Sequence, residues 1–145
     1  MTVISDAYLG PAPWNGFMTG GFDGVMMDIH YYGAYQEPAN LTWDQQIAEA
    51  CGQANVIREY DLWTVVGEWS LAVTDCLNEV YLPPYGGSRY DGTLPGFPYL
   101  GSCQPYLAPG TDYSSDYKVF LRKFFEAQTS GECIPSSFWM LRALG

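Results

Sequence analysis

The sequence holds one histidine in 145 residues, and only six Lys and Arg against sixteen Asp and Glu. A single His30, with four cysteines that show no C-x-x-C spacing, supplies no zinc ligand set, so neither a metal nor a cofactor is expected. The formal charge of −10 argues against nucleic acid or an anionic membrane as partner. No apolar run approaches membrane-spanning length, so no membrane span is expected. Met1-Thr-Val-Ile-Ser5 has neither a basic n-region nor an apolar h-region, which leads to the expectation that the natural N-terminus lies upstream. Internal repeats and low-complexity tracts are absent.

Aromatic residues, in contrast, make up 17% of the chain. Flat faces of that kind suit a carbohydrate cleft, where rings stack on sugars, and they equally suit a large core. The length allows one core-bearing domain. An even cysteine count (Cys51, Cys76, Cys103, Cys133) fits a secreted protein with disulfides, though sequence alone does not fix their connectivity. Cys76 with Cys103 is the expected pair, because both fall in the long loop that follows one strand. Asn40-Leu-Thr42 is a glycosylation sequon, usable only in a secretory compartment.

Along the chain, Thr2 to Ser5 reads as a strand stub ending at Asp6, and breakers make residues 9–24 a loop. Val25 to Tyr32 is a near-continuous apolar run, which suggests a strand buried on both faces. Thr42-Trp-Asp-Gln45 is a capping box. It opens a helix with Trp43, Ile47, Ala50 and Ala54 on one face, ending near residues 53–55. Trp63 to Val66 then reads as a short buried strand bounded by Gly67. Strand, helix, strand in this order is a βαβ crossover with parallel strands. Residues 77–115 hold most turn formers and read as one long ordered loop. Asp116 to Gln128 reads as a helix, with Val119, Phe120, Lys123, Phe124 and Ala127 at helical spacing.

The chemistry centres on Glu68. A strand that ends in a carboxylate beside an aromatic is how an α/β barrel presents a catalytic side chain at its C-terminal mouth. A surface glutamate at a strand end is the plainer reading.

Gly67-Glu-Trp-Ser-Leu-Ala-Val-Thr-Asp-Cys76 resembles the GEWS-A-x-TDC segment of the fungal exo-β-1,3-glucanases of glycoside hydrolase family 5. Asp28-Ile-His-Tyr-Tyr32 resembles that family's D-x-H-x-Y strand. Ser5-Asp-Ala-Tyr8 with Trp14-Asn-Gly-Phe17 is similar to its H-D-A-F…W-N-x-F loop. Gly101-Ser-Cys-Gln-Pro105 resembles its GSCQP turn, and Glu126-Ala-Gln128 the E-A-Q of its late helix. These five motifs stand in the family's order and cover roughly residues 3–128.

The resemblance implies an α/β fold: a partial (β/α)8 TIM barrel covering about the last three or four strands. Residues 1–145 would be the C-terminal part of a domain that typically needs ~250 residues. An open partial sheet with helices on one side follows, prone to association or dependent on the missing N-terminal half as partner. The resemblance further implies a retaining hydrolase of β-glucans, polymeric or oligomeric, with Glu68 as nucleophile. His30 and Tyr32, at i and i+2 on one strand face, inherit sugar-binding and nucleophile-orienting roles. Trp139 inherits the platform under the sugar. Extracellular or cell-wall localisation is implied for the parent protein.

Two departures stand out. The family's acid/base comes from an N-E-P motif, and no Asn-Glu-Pro occurs here; Gln36-Glu-Pro38 is the nearest string and follows the wrong strand. Residues 129–145 also depart from the family's G-W-x-F-W-x-W-K strand. Pro135 sits where the strand should begin, and Leu141-Arg142 replaces W-K. Two other readings stand beside the hydrolase: a non-catalytic carbohydrate-binding remnant using Trp14, Trp69 and the tyrosine-rich loop, and an unrelated α/β enzyme pairing Glu68 with Asp28 or Asp75.

Overall fold

A computed structural model describes residues 1–76 and 86–129. Among these, β1 (Thr2–Ser5), β2 (Val25–Tyr32) and β3 (Trp63–Ser70) form one sheet in the order β1-β2-β3, with both pairings parallel. Helices α1 (Trp43–Arg58) and α3 (Ser115–Thr129) pack on one face of it. A short α2 (Gln104–Leu107) lies between β3 and α3. The expected α/β class and parallel βαβ unit are therefore present, as a small sheet with its helices on one side.

β2 differs from its apolar reading. Met27, Ile29 and Tyr31 are buried, whereas Asp28, His30 and Tyr32 between them are only half-buried. The helices cover a single face, so the strand alternates inward and outward rather than being buried on both sides.

The capping box forms as expected: Gln45 N–H donates to Thr42 Oγ1, and the Gln45 side chain accepts from Thr42 N–H. α1 then runs on to Arg58, beyond its expected end, because Ile57 continues the buried row of Ala50 and Ala54 and no glycine stops it. Trp43 is largely outside that row; its ring instead stacks on Phe120 of α3, centroids 4.9 Å apart. In α3 the buried row is Tyr117, Phe120, Phe124 and Ala127, while Val119 is 55% exposed. The inward stripe thus starts at Tyr117 and leaves out Val119 and Lys123, because the helix meets α1 through aromatic edges and faces.

Two buried glutamines tie the helices to the exit of β3. Gln128 Nε2 donates to the Ser70 carbonyl at 3.3 Å, and Gln46 Nε2 to the Val73 carbonyl at 3.3 Å. Backbone groups leaving a strand must find partners, and these amides supply them.

Residues 86–114, inside the stretch read as a single loop, contain α2 and a 3-10 turn over Gly110–Asp112. Asp75 organises the stretch. Its carboxylate accepts from Ser88 Oγ (2.6 Å), Arg89 N (2.8 Å), Tyr90 N (3.1 Å) and Arg89 Nε (3.1 Å). Arg89 also reaches the Ala34 carbonyl and the Glu37 carboxylate, so the segment after β2 is tied to the segment after β3. Cys76 and Cys103 are disulfide-bonded, closing 27 residues of sequence separation beside this hub. Burial pushes the Asp75 carboxyl pKa up, but the Ser88, Arg89 and Tyr90 hydrogen bonds outweigh it and hold it below the ordinary value.

Two stability outcomes follow. Phe124 is fully buried, so Phe124→Ala should cost about 3–5 kcal/mol in urea unfolding. Exposed Val119→Ala should stay within about 0.5 kcal/mol. A depressed Asp75 pKa means that its stabilisation is present above the unfolded value of about 3.9 and is lost as pH falls through the folded one. Asp75→Asn should therefore cost about 2 kcal/mol at neutral pH, with the gap to wild type closing on acidification below about pH 4.

Candidate active site

The C-terminal ends of the three parallel strands lie along one edge of the sheet. On the face away from the helices, β2 presents Asp28, His30 and Tyr32 at alternate positions. Simple alternation in β3 would not bring Glu68 to them. Thr64 and Val66 point to the helices, so position 68 would follow them into the core.

A register shift changes this. Ile29 pairs with Val66, but His30 pairs with Glu68, which leaves Gly67 as an extra, unpaired residue. Beyond it Glu68 faces outward beside His30, and Trp69 pairs with buried Tyr31 on the helix side. β3 therefore continues through Gly67 to Ser70 instead of stopping there, and Glu68 lies within the strand. The bulge is what puts the carboxylate on the same face as the histidine.

Asp28 occupies the notch. Its Oδ1 accepts from Gly67 N–H at 2.9 Å and its Oδ2 lies 3.3 Å from His30 Nε2. A side chain at position 67 would strike that carboxylate, with Cβ only 2.8 Å from Asp28 Cγ, so glycine is required by the close approach.

Glu68 is the open member of the cluster, with 60% of its side chain exposed. Its Oε2 stands 3.5 Å from His30 Nδ1. Tyr8 also reaches His30, its hydroxyl 3.3 Å from Nδ1 and its ring edge-on to the imidazole. Partial burial, then the hydrogen bond and negative charge of Glu68, with Tyr8 adding, push the Tyr32 phenol pKa well above the usual tyrosine value. Tyr32 thus stays protonated and serves Glu68 as an O–H donor. The arrangement presents a solvent-facing carboxylate near the C-terminal end of β3 beside a hydrogen-bond donor that orients it, as a nucleophile requires.

Of the residues singled out from sequence, Glu68, His30 and Tyr32 come together on one face. Trp139 and Cys133 lie outside the described residues. Asn40 is exposed in a turn before α1. Asp75, the rival partner for Glu68, is consumed by its own hub, and Glu37 of the Gln36-Glu-Pro38 string pairs with Arg89. Trp14 and Trp69, the platforms of the carbohydrate-binding reading, are half-buried against the core, and Trp14 Nε1 donates to the Asp6 carbonyl. Asp6 is structural, buried and accepting from the Tyr60 hydroxyl at 2.8 Å.

Tyr8 was not singled out as a site residue. The turn that brings it back over His30 uses positive φ at Ala7 (53°) and Tyr8 (60°), held by Ser5 Oγ and Asp6 Oδ1 accepting their N–H groups. A polar pair, Ser5-Asp6, capping a strand end is the sequence signal for such a turn.

No family model matches the chain. A glucan 1,3-beta-glucosidase from Blumeria graminis is 39% identical over 132 residues, 86% of this chain and 30% of that protein. One from Candida oleophila is 36% identical over 79% of this chain and 27% of its own length. A probable glucan 1,3-beta-glucosidase A from Aspergillus niger is 33% identical over 98% of this chain and 35% of its own length. The chain thus spans about 30% of the length of the relatives it matches. Over most of its residues it is a homologue of part of the fungal glucan 1,3-beta-glucosidases.

Proposed function

We propose that this chain carries the nucleophile side of a retaining β-glucan hydrolase of glycoside hydrolase family 5, with Glu68 as the nucleophile. The observation that carries the reading is the bulge at Gly67, which turns Glu68 out of the core to stand beside His30 and Tyr32. Three parallel strands with helices on one face suit a segment of a (β/α)8 barrel, the polar face being the barrel interior and the strand C-termini its mouth.

In a retaining reaction Glu68 attacks the anomeric carbon of the terminal glucose, forming a glycosyl-enzyme ester as the glycosidic oxygen leaves. Tyr32 donates to the carboxylate and helps orient it. A second carboxyl group must protonate the leaving oxygen and then activate water. Asp28 is committed to Gly67 and His30, Asp75 to its hub, and the sequence holds no Asn-Glu-Pro string. These 145 residues alone should therefore cleave ordinary glucans slowly, since general acid assistance is worth about 10²–10⁴-fold. Secretion of the parent protein, action at a cell wall and a role for Trp139 as sugar platform belong to the same reading.

An activated aryl β-glucoside tests it, because a good leaving group needs little protonation. The purified chain should release a burst of chromophore of up to about one equivalent as the ester forms. Glu68→Gln should abolish the burst. Equal release from both proteins, with the wild type folded by circular dichroism, would sink the assignment of Glu68.

A further inference from the structure

The bulge that exposes Glu68 leaves one backbone N–H, that of Gly67, without a ladder partner on β2. Asp28 supplies it, and the same carboxylate reaches the imidazole of His30 with its other oxygen. We propose that Asp28 is a positioning residue with two coupled tasks: it locks the β3 bulge, and it sets which nitrogen of His30 carries the proton.

The first task follows from geometry. Oδ1 accepts from Gly67 N–H at 2.9 Å and fills the space where any side chain at position 67 would lie. Carboxylate and glycine are thus complementary, and neither fits with the other changed to a bulkier group. A one-residue slip would turn Glu68 to the helix side and Trp69 out.

The second task follows from donor and acceptor chemistry. An ionised carboxylate only accepts, so the 3.3 Å contact to His30 Nε2 requires an Nε2–H. In the neutral ring Nδ1 is then bare, and it accepts from the Tyr8 hydroxyl at 3.3 Å. Glu68 Oε2, 3.5 Å from Nδ1, faces a lone pair rather than a donor. Its lone pairs are therefore left to Tyr32 and to substrate. The opposite tautomer would aim an N–H at Glu68 and tie up the oxygen that has to react. That catalytic consequence rests on the reading of Glu68 as nucleophile; the placement of the proton does not.

His30 is the chain's single histidine, so its ring nitrogens can be read without ambiguity. Nitrogen-15 NMR of the uniformly labelled chain at alkaline pH should show the Nε2–H tautomer as the major form. In Asp28→Asn the amide oxygen can still accept from Gly67, while its NH2 replaces Oδ2 and donates to Nε2. The fold should persist and the major tautomer should switch to Nδ1–H. The same tautomer in both proteins would overturn the proposal, as would failure of Asp28→Asn to fold where wild type folds.

A second measurement isolates the bulge. Gly67→Ala should lower the urea midpoint in the Asp28 chain, and by less than half as much in an Asp28→Ala background. Equal drops would show that the carboxylate and the glycine are independent, against the first task. Neither readout needs turnover, so a silent Glu68 leaves both decisive.

Discussion

The pairing of β2 with β3, broken by one extra residue at Gly67, is the constraint on which this molecule turns. Side chains in a strand alternate with a period of two, so a single added residue reverses every side chain beyond it. Upstream of the shift, Thr64 and Val66 face the helices with Met27 and Ile29; downstream, Trp69 takes that role beside Tyr31. The core thus stays apolar through the reversal. An unshifted strand would place an ionised Glu68 in that layer, a burial costing several kcal/mol without a partner. Folding and site formation therefore select the same register.

That selection explains why the sheet has two unlike faces. The helix side is filled by Met27, Ile29, Phe120 and Phe124, with the α3 rings stacked along one line. The other side carries polar groups that satisfy one another: Asp28 with Gly67 N–H and His30, His30 with Tyr8, Tyr32 with Glu68. Mutual satisfaction of this kind is what such a surface needs to hold one arrangement.

Much of this was legible in the sequence, for identifiable reasons. The boundaries of β2 and the N-terminus of α1 follow from a run of strand formers and a capping box, both local codes. The C-terminus of α1 depends on Ile57 extending its buried row, and the inward stripe of α3 on which aromatic meets which across the helix pair, and neither is a local code. The sequence pattern ends β3 at Gly67, because a glycine in a strand pattern reads as a stop. Here it is a bulge, and only its neighbour on the adjacent strand tells the two apart. Glu68, His30 and Tyr32 were found through motif likeness. The sequence places Asp28 in a motif and as an alternative acid but not its task, because its partners, Gly67 N–H and His30 Nε2, belong to a cross-strand geometry that one-dimensional spacing does not carry.

Among the described residues, the groups around Glu68 come from neighbouring segments of this chain. β2 and β3 carry the acids and the imidazole, the Ser5-Asp6 turn returns Tyr8, and Gln128 and Gln46 anchor the backbone just past Glu68. The Asp75–Arg89 hub and the Cys76–Cys103 bridge then hold the following loop against the segment after β2. The outward carboxylate is therefore oriented by groups that lie within about one strand spacing of it, ~5 Å, rather than by a distant part of the fold. The direction of Glu68 is thus fixed by its own two strands.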